Sequence, residues 1–287
     1  MSVKPTRNTP ETLRRPHRVP FAPMDLGLSG TRALITGGSR GLGKAIARRL
    51  GAENVTCVIS GRDAEVLDAA AEELRAAGGT VETVEADMRD GTAIEDMVSR
   101  AADLMGGLDI LVNNAARSSG SEPENFLGVS DDLIIEDFTV KFLGYLRAAR
   151  AAAPHMRAAG WGRILNVGGL AARQPGSISA GARNTAIVHL TASMAAELGR
   201  AGVNVNAVHP GLTETESFRD KISNWASDFG MDVGQLEGRM TQQISIGRFV
   251  TADEVAAVVT FLVSPLAVAV NGEVIAVGGG STQAVYY

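Results

Sequence analysis

The chain has one cysteine in 287 residues, 5% aromatic residues, no excess of basic charge and no long unbroken apolar run. A single thiol excludes a disulfide framework, and Cys57 sits in the apolar run VTCVIS, where a thiol is buried and inert rather than nucleophilic. A reducing, cytoplasmic setting is the expectation. The formal charge of −5 provides no field for a phosphate backbone and argues against nucleic acid as a partner. The longest apolar stretch, 255 to 270, is broken by Ser264 and Pro265 and is too short for a bilayer, so no membrane association is expected. Arg14 and Arg15 form a twin-arginine pair, but Pro16 and no apolar segment follow, which argues against a secretion signal. The remaining partner class is a small molecule, neutral or anionic.

Residues 1–23 hold five prolines among arginines and threonines and too little apolar surface to order themselves, which predicts a flexible arm. From residue 24 to 287 the pattern repeats: a short apolar run, a Gly or polar turn, then an Ala-rich helix. That alternation predicts one α/β domain, a doubly wound (Rossmann) parallel sheet of seven strands with helices on both faces. The strand candidates are RALIT, NVTCVIS, TVETVEAD, LDILVNN, GRILNVG, GVNVNAVH and GEVIAVG. Helices are expected at 42–51, 63–77, 91–105, 131–157, 181–201 and 251–263.

After the first strand comes TGGSRGLGKAIARRL, in which Gly37, Gly41 and Gly43 open a helix. Glycines there let the backbone turn tightly and approach a pyrophosphate, which then rests on the positive end of the helix. Arg40 lies in the turn, and Arg62 follows the second strand where an NAD site would place a carboxylate. Two guanidiniums suit a 2′-phosphate, so NADP(H) is favoured over NAD(H). Asp63 reads as a helix N-cap rather than a ribose ligand.

These residues resemble the classical short-chain dehydrogenase/reductase family over about residues 26 to 280. TGGSRGLG is similar to the family's TGxxxGxG turn, ADMRD to its acidic motif, NNAA to its NNAG motif, and HPGLTET to its PG motif. The resemblance implies a cofactor site built from Gly37, Ser39, Arg40, Gly41, Leu42, Gly43, Arg62, Asp87, Met88, Asn114, Ala115, Ala116, Pro210, Gly211, Thr213 and Thr215. It implies a homodimer or homotetramer packed through helices 131–157 and 181–201, and a substrate lid at about 214–247, where Phe218, Trp225, Phe229, Met231 and Met240 make an adaptable apolar surface. It also implies hydride transfer with an Asn, Ser, Tyr, Lys tetrad, in which the tyrosine protonates the developing alkoxide.

Here the chain departs from the family. Counting back from Glu197 in AAEL places the family's lysine at Asn184 and its tyrosine at Ala180; the serine falls at Gly169, and counting back from Pro154 places the asparagine at Lys141. All four positions are replaced. Lys141 is the best substitute, as an acid, an anion-binding charge or a Schiff-base amine, if it does not merely cap a helix carbonyl or pair with Asp137. Ser177 and Ser179 are candidates to orient a substrate oxygen, or are simple loop residues; Asn184 and Asn166 are candidates to hold a water chain. His209, beside Pro210 at a strand's end, is either titratable or satisfied by backbone. Arg183 is expected on another wall of the cleft or at a subunit interface, and His189 away from the site. No metal ligand set is assigned. The sequence supports an NADP(H)-dependent oxidoreductase of atypical mechanism on a small apolar substrate, an activated C=C, C=N or carbonyl. The alternatives are a catalytically silent cofactor-binding homologue and a non-redox enzyme, such as a cyclase, isomerase or eliminase, on the same scaffold.

Overall fold

A computed structural model describes residues 24–117 and 126–281; the proline-rich arm at 1–23 lies outside the described residues. In chain order the first half runs β1 (Arg32–Thr36), α1 (Gly41–Ala52), β2 (Thr56–Gly61), α2 (Ala64–Ala76), β3 (Thr80–Glu85), α3 (Gly91–Met105) and β4 (Ile110–Asn113). The second half runs α4 (Asp131–Asp137), α5 (Gly144–Ala159), β5 (Gly162–Val167), α6 (Ile178–Leu198), β6 (Val203–Pro210), β7 (Thr213–Glu214), α7 (Phe218–Asp228), α8 (Val233–Thr241), β8 (Val250–Thr251), α9 (Ala252–Leu262) and β9 (Val274–Val277).

Seven strands pair in parallel in the order β3-β2-β1-β4-β5-β6-β9. The strand order reverses between β1 and β4, and the strand C-terminal ends there open the crevice in which doubly wound sheets bind ligands. The central strands are buried on both faces and therefore read as near-continuous apolar runs. Leu50, Leu67, Leu74 and Val259 of α1, α2 and α9 pack on one face of the sheet. Ile94, Val98, Ala148 and Met156 of α3 and α5, with Leu198 of α6, pack on the other. Cys57 is fully buried and its thiol is pushed up to about 12 by desolvation, which removes it as a nucleophile.

Several helix starts carry a local cause. Asp63 accepts the Val66 N–H at 3.2 Å, so it caps α2. Asp90 caps α3, and Thr251 with Glu254 forms a capping box on α9. Among the described residues no helix is long and apolar enough to cross a membrane.

The helix expected at 131–157 is not continuous. A π turn at Phe138–Leu143 separates α4 from α5, and it carries Lys141. Such turns insert a residue into the α-helical ladder and re-aim the side chains on either side of it. The lid region also differs from a plain amphipathic strap. Its two helices α7 and α8 gather Phe218, Ile222, Ile244 and Phe249 into a separate small core, with the Phe218 and Phe249 rings 4.8 Å apart edge to face.

Candidate active site

A cleft of about 800 Å³ opens over the C-terminal ends of the strands. Its wall brings together Leu42 and Asn114, Ala116, and Pro210, Gly211, Thr213 and Thr215 with Lys141, Gly169, Ala180 and Asn184. Leu42 of the turn and the four positions expected to match the family's tetrad thus share one cavity.

The turn is held by contacts that exclude side chains. Gly37 and Gly41 have positive φ, at 66° and 53°. A Cβ on Gly43 would lie 2.2 Å from the Gly37 carbonyl oxygen and 2.6 Å from Asn114 Nδ2. Asn114 Nδ2 donates to the Thr36 and Gly37 carbonyls, each at 3.0 Å, and the Thr36 hydroxyl accepts the Asn114 and Ala115 N–H groups. This network ties the end of β4 to the turn after β1. Ser39 Oγ packs toward Gly61. Arg40 and Arg62 are exposed beside the turn and at the end of β2, where a 2′-phosphate could be met by both. Asp87 accepts from Arg89 Nε at 2.9 Å, and that guanidinium holds its carboxyl below the usual range; Met88 is buried beside it. One N–H at the start of α1 is already taken: Gly41 donates to Glu216 Oε2 at 2.9 Å, and Glu216 Oε1 pairs with Lys44 at 3.0 Å.

Lys141 is 5% exposed and its Nζ donates to the Gly168 carbonyl at 3.1 Å. It therefore neither caps a carbonyl of its own helix nor pairs with Asp137, but reaches the end of β5. Desolvation, with a smaller contribution from the Arg183 cation, lowers its pKa to about 7; Asp137 opposes that shift. An ammonium with this pKa exchanges a proton near neutral pH.

Asp137 is instead a hub. Its buried carboxylate accepts from Arg117 Nε at 3.2 Å, pairs with Arg183, and accepts from the Ser179 hydroxyl. Ser179 is thereby turned away from the cleft into the core. Ser177 caps α6, its Oγ accepting the Ala180 N–H at 3.0 Å. Neither serine lines the cavity, so neither meets a substrate oxygen, and both hold α6 and its cleft residues in place. Arg183 does line the cleft, on the wall next to Asn184.

Asn184 is 3% exposed, and its Oδ1 has no hydrogen-bond partner, an unmet acceptor facing the place where a ligand enters. A Cβ on Gly169 would fall 2.9 Å from Asn184 Nδ2, so the two positions fit only as a pair. Asn166 does not join a water chain with it. Asn166 lies in the core, accepting from Asn113 at 3.0 Å and donating to Thr191 at 2.9 Å.

Two other titratable groups, Tyr145 and His209, stand near the cleft, and both are buried. Tyr145 is fully buried and donates to the Val167 carbonyl at 3.1 Å, with burial raising its pKa further. His209 is fully buried against Gly168, not satisfied by backbone: neither ring nitrogen has a partner. Burial, with the Arg173 and Lys141 cations, lowers its pKa to about 4, so it is neutral at pH 7. His189 contacts only Ser193 on the exposed side of α6. Sequence reasoning passed over Arg117 and the lid cations Lys221 and Arg239, which also line or support the cleft.

The family model for short chain dehydrogenases matches residues 31–225. The chain is 32% identical over 260 residues to the 3-oxoacyl-acyl-carrier-protein reductase of Aquifex aeolicus, spanning 90% of this chain and 99% of that one. It is 32% identical over 258 residues to gluconate 5-dehydrogenase of Gluconobacter oxydans, spanning 89% and 96%. Among solved structures it is similar to L-sorbose reductase of Gluconobacter frateurii in complex with NADPH and L-sorbose, with a TM-score of 0.85 and 30% identity over 91% of this chain and all of that one. It is also similar to an actinorhodin polyketide ketoreductase with NADPH, with a TM-score of 0.83 and 31% identity over 88% of this chain and 98% of that one. The match over most of the chain, the seven-stranded order and the shared cleft lead to one conclusion: this protein belongs to the short chain dehydrogenase family.

Proposed function

We propose that the protein is an NADP(H)-dependent oxidoreductase that works without the family's tyrosine and takes its proton from Lys141. The single observation that carries the reading is the buried Lys141 ammonium, brought to about pKa 7 on the wall of the cofactor cleft, where no phenol and no charged histidine stands. The residues present fit the cofactor: Gly37 and Gly41 at positive φ shape a tight turn at the start of α1, close packing at Gly43 holds it, and Asn184 Oδ1 offers a buried acceptor to a hydroxyl. Gly37 to Gly43 would hold the pyrophosphate, Arg40 and Arg62 the 2′-phosphate, and Asn114, Pro210, Gly211 and Thr215 the nicotinamide end. NADPH supplies a hydride when bound.

Lys141 holds a proton on Nζ and delivers it to the heteroatom on which negative charge develops, a carbonyl oxygen or an imine nitrogen, or to the carbon of an activated C=C bond. The Gly168 carbonyl orients the ammonium, and water reprotonates the amine afterwards. Arg117, Arg183 and Ser179 satisfy Asp137, so the carboxylate does not draw the Lys141 proton away. Helices α7 and α8 close the cleft as a lid. The homodimer or homotetramer implied by the family is kept as part of this reading.

Lys141→Met is the test, with NADPH oxidation followed across carbonyl, enone and imine substrates. A general acid contributes about 10²- to 10⁴-fold, and the variant should lose that much in rate while NADPH binding stays within about threefold. Because the proton must be on Nζ, the wild-type reductive rate should fall as pH rises through about 7. Full activity in Lys141→Met overturns the assignment of the acid. The replacement of four tetrad positions favours a second reading, a cofactor-binding homologue without turnover or a non-redox enzyme; NADPH binding without oxidation across the whole panel would select it.

A further inference from the structure

We propose that the cleft selects an apolar substrate that carries a carboxylate, held between Arg183 on the cleft floor and Arg239 and Lys221 on the lid; this rests on reading the cleft as the substrate site of a reductase. The chain as a whole is acidic, with 32 Asp and Glu against 27 Lys and Arg. The cleft wall reverses that balance: among the described residues it contains Lys141, Arg183, Lys221 and Arg239 and no Asp or Glu.

The lid had a carboxylate to spare and did not use it there. Glu237, on the same helix as Arg239, pairs with Arg219 outside the cleft wall, and among the described residues neither Arg239 nor Lys221 stands in an ion pair. On the floor, Arg183 is fixed by Asp137 through Nη1, and its buried Nε has no acceptor. A buried guanidinium N–H without a partner is costly, and a ligand oxygen removes the cost. Asp137, itself held by Ser179, fixes this guanidinium in place on the cleft wall, so little ordering of Arg183 is needed when a ligand binds.

The cofactor's own phosphates do not account for these charges, since the β1 to α1 turn with Arg40 and Arg62 serves them on the far side of the crevice. The body of the ligand follows from the rest of the wall, where Leu212, Phe218, Trp225, Met240 and Ile244 are apolar. One free N–H on Arg183, with two flexible lid cations above it, suits the two oxygens of a carboxylate. A phosphate dianion would call for a convergent set of donors of the kind found at the turn.

The test is equilibrium binding to the full chain saturated with NADPH, read by titration calorimetry, so that it does not depend on turnover or on Lys141. The probes are octanoate, octanamide and octyl phosphate. A charge-assisted contact should make octanoate bind about tenfold or more tightly than the neutral amide. That ratio should collapse to about one in Arg183→Gln and fall several-fold in Lys221→Gln/Arg239→Gln, whose side chains are exposed, with one weak contact from Arg239 Nη1 to Met231 Sδ at 3.6 Å. The lid variant keeps the test open if Arg183→Gln fails to fold. Equal binding of acid and amide, an unchanged ratio in the lid variant, no octanoate binding at millimolar concentration, or octyl phosphate binding tenfold more tightly than octanoate would each overturn the proposal.

Discussion

The two sides of the cleft are built by different rules. On the cofactor side, the structure is fixed by backbone: glycines at positive φ, an N–H row at the start of α1, and Asn114 pinning two carbonyls. On the catalytic side, it is fixed by side chains drawn from distant parts of the chain: Lys141 in a π turn, Asp137 before it, Arg183 and Asn184 on α6, and Gly169 at the end of β5. Backbone constraints admit few residues, so that side keeps the family's pattern. A side-chain constellation can be exchanged as a set if its members fit one another, and the catalytic side carries such a set.

The largest effect should come from breaking the backbone side. Gly43→Ala puts a Cβ 2.2 Å from a backbone oxygen that cannot move without opening the turn. NADPH affinity should fall by about 100-fold or more, with a measurable loss of thermal stability, since the change forces the Gly37 carbonyl and the Asn114 side chain apart and opens the turn. Unaltered NADPH binding, measured by fluorescence titration, would show that the turn is only structural.

Next in size is the choice between cofactors. Arg40→Gln/Arg62→Gln removes two charge-assisted partners of a 2′-phosphate and should weaken NADPH by about 10- to 100-fold while leaving NADH within about twofold. Parallel losses for both nucleotides would mean the arginines act on something other than the 2′-phosphate.

The catalytic side should break differently, through pair fit. Gly169→Ser restores the family's residue but drives a Cβ to within 2.9 Å of Asn184 Nδ2, which should cost about 1–3 kcal/mol by denaturant unfolding. In the Asn184→Ala background the same serine should cost much less, and the difference is the coupling of the pair. Additive losses would deny that the two positions changed together.

This contrast also explains what the sequence made readable. The strand order, the turn and the caps are local: RALIT, the glycines after it and Asp63 each state their structure within a few residues. The departure from the family's tetrad is a reading of the sequence by counting, at Ala180 and Gly169. What took over was not legible. Ser179 and Asp137 are 42 residues apart in sequence and meet only because α4 and α6 pack together. The π turn that carries Lys141 leaves no mark in composition. Lys221 and Arg239 look like ordinary surface charge until the folded lid turns both toward one cavity.

The smallest effect tests where the two sides touch. Glu216 lies just before the lid helix α7, yet its carboxylate sits on the Gly41 N–H and on Lys44, at the helix end that receives the pyrophosphate. If the contact acts chiefly by charge, it competes with the incoming phosphate, and Glu216→Gln should tighten NADPH binding by about two- to fivefold at low salt. The gain should vanish at high ionic strength, because the carboxylate is largely exposed and screened. If instead the contact acts as a clasp holding the lid to the turn, the same variant weakens binding, since the loop between β7 and α7 then has to be ordered by the ligand. The sign of so small a change therefore separates two ways of joining a backbone-built site to a side-chain-built one. Tightening means that the lid yields when the cofactor arrives, and weakening means that it helps to form the site.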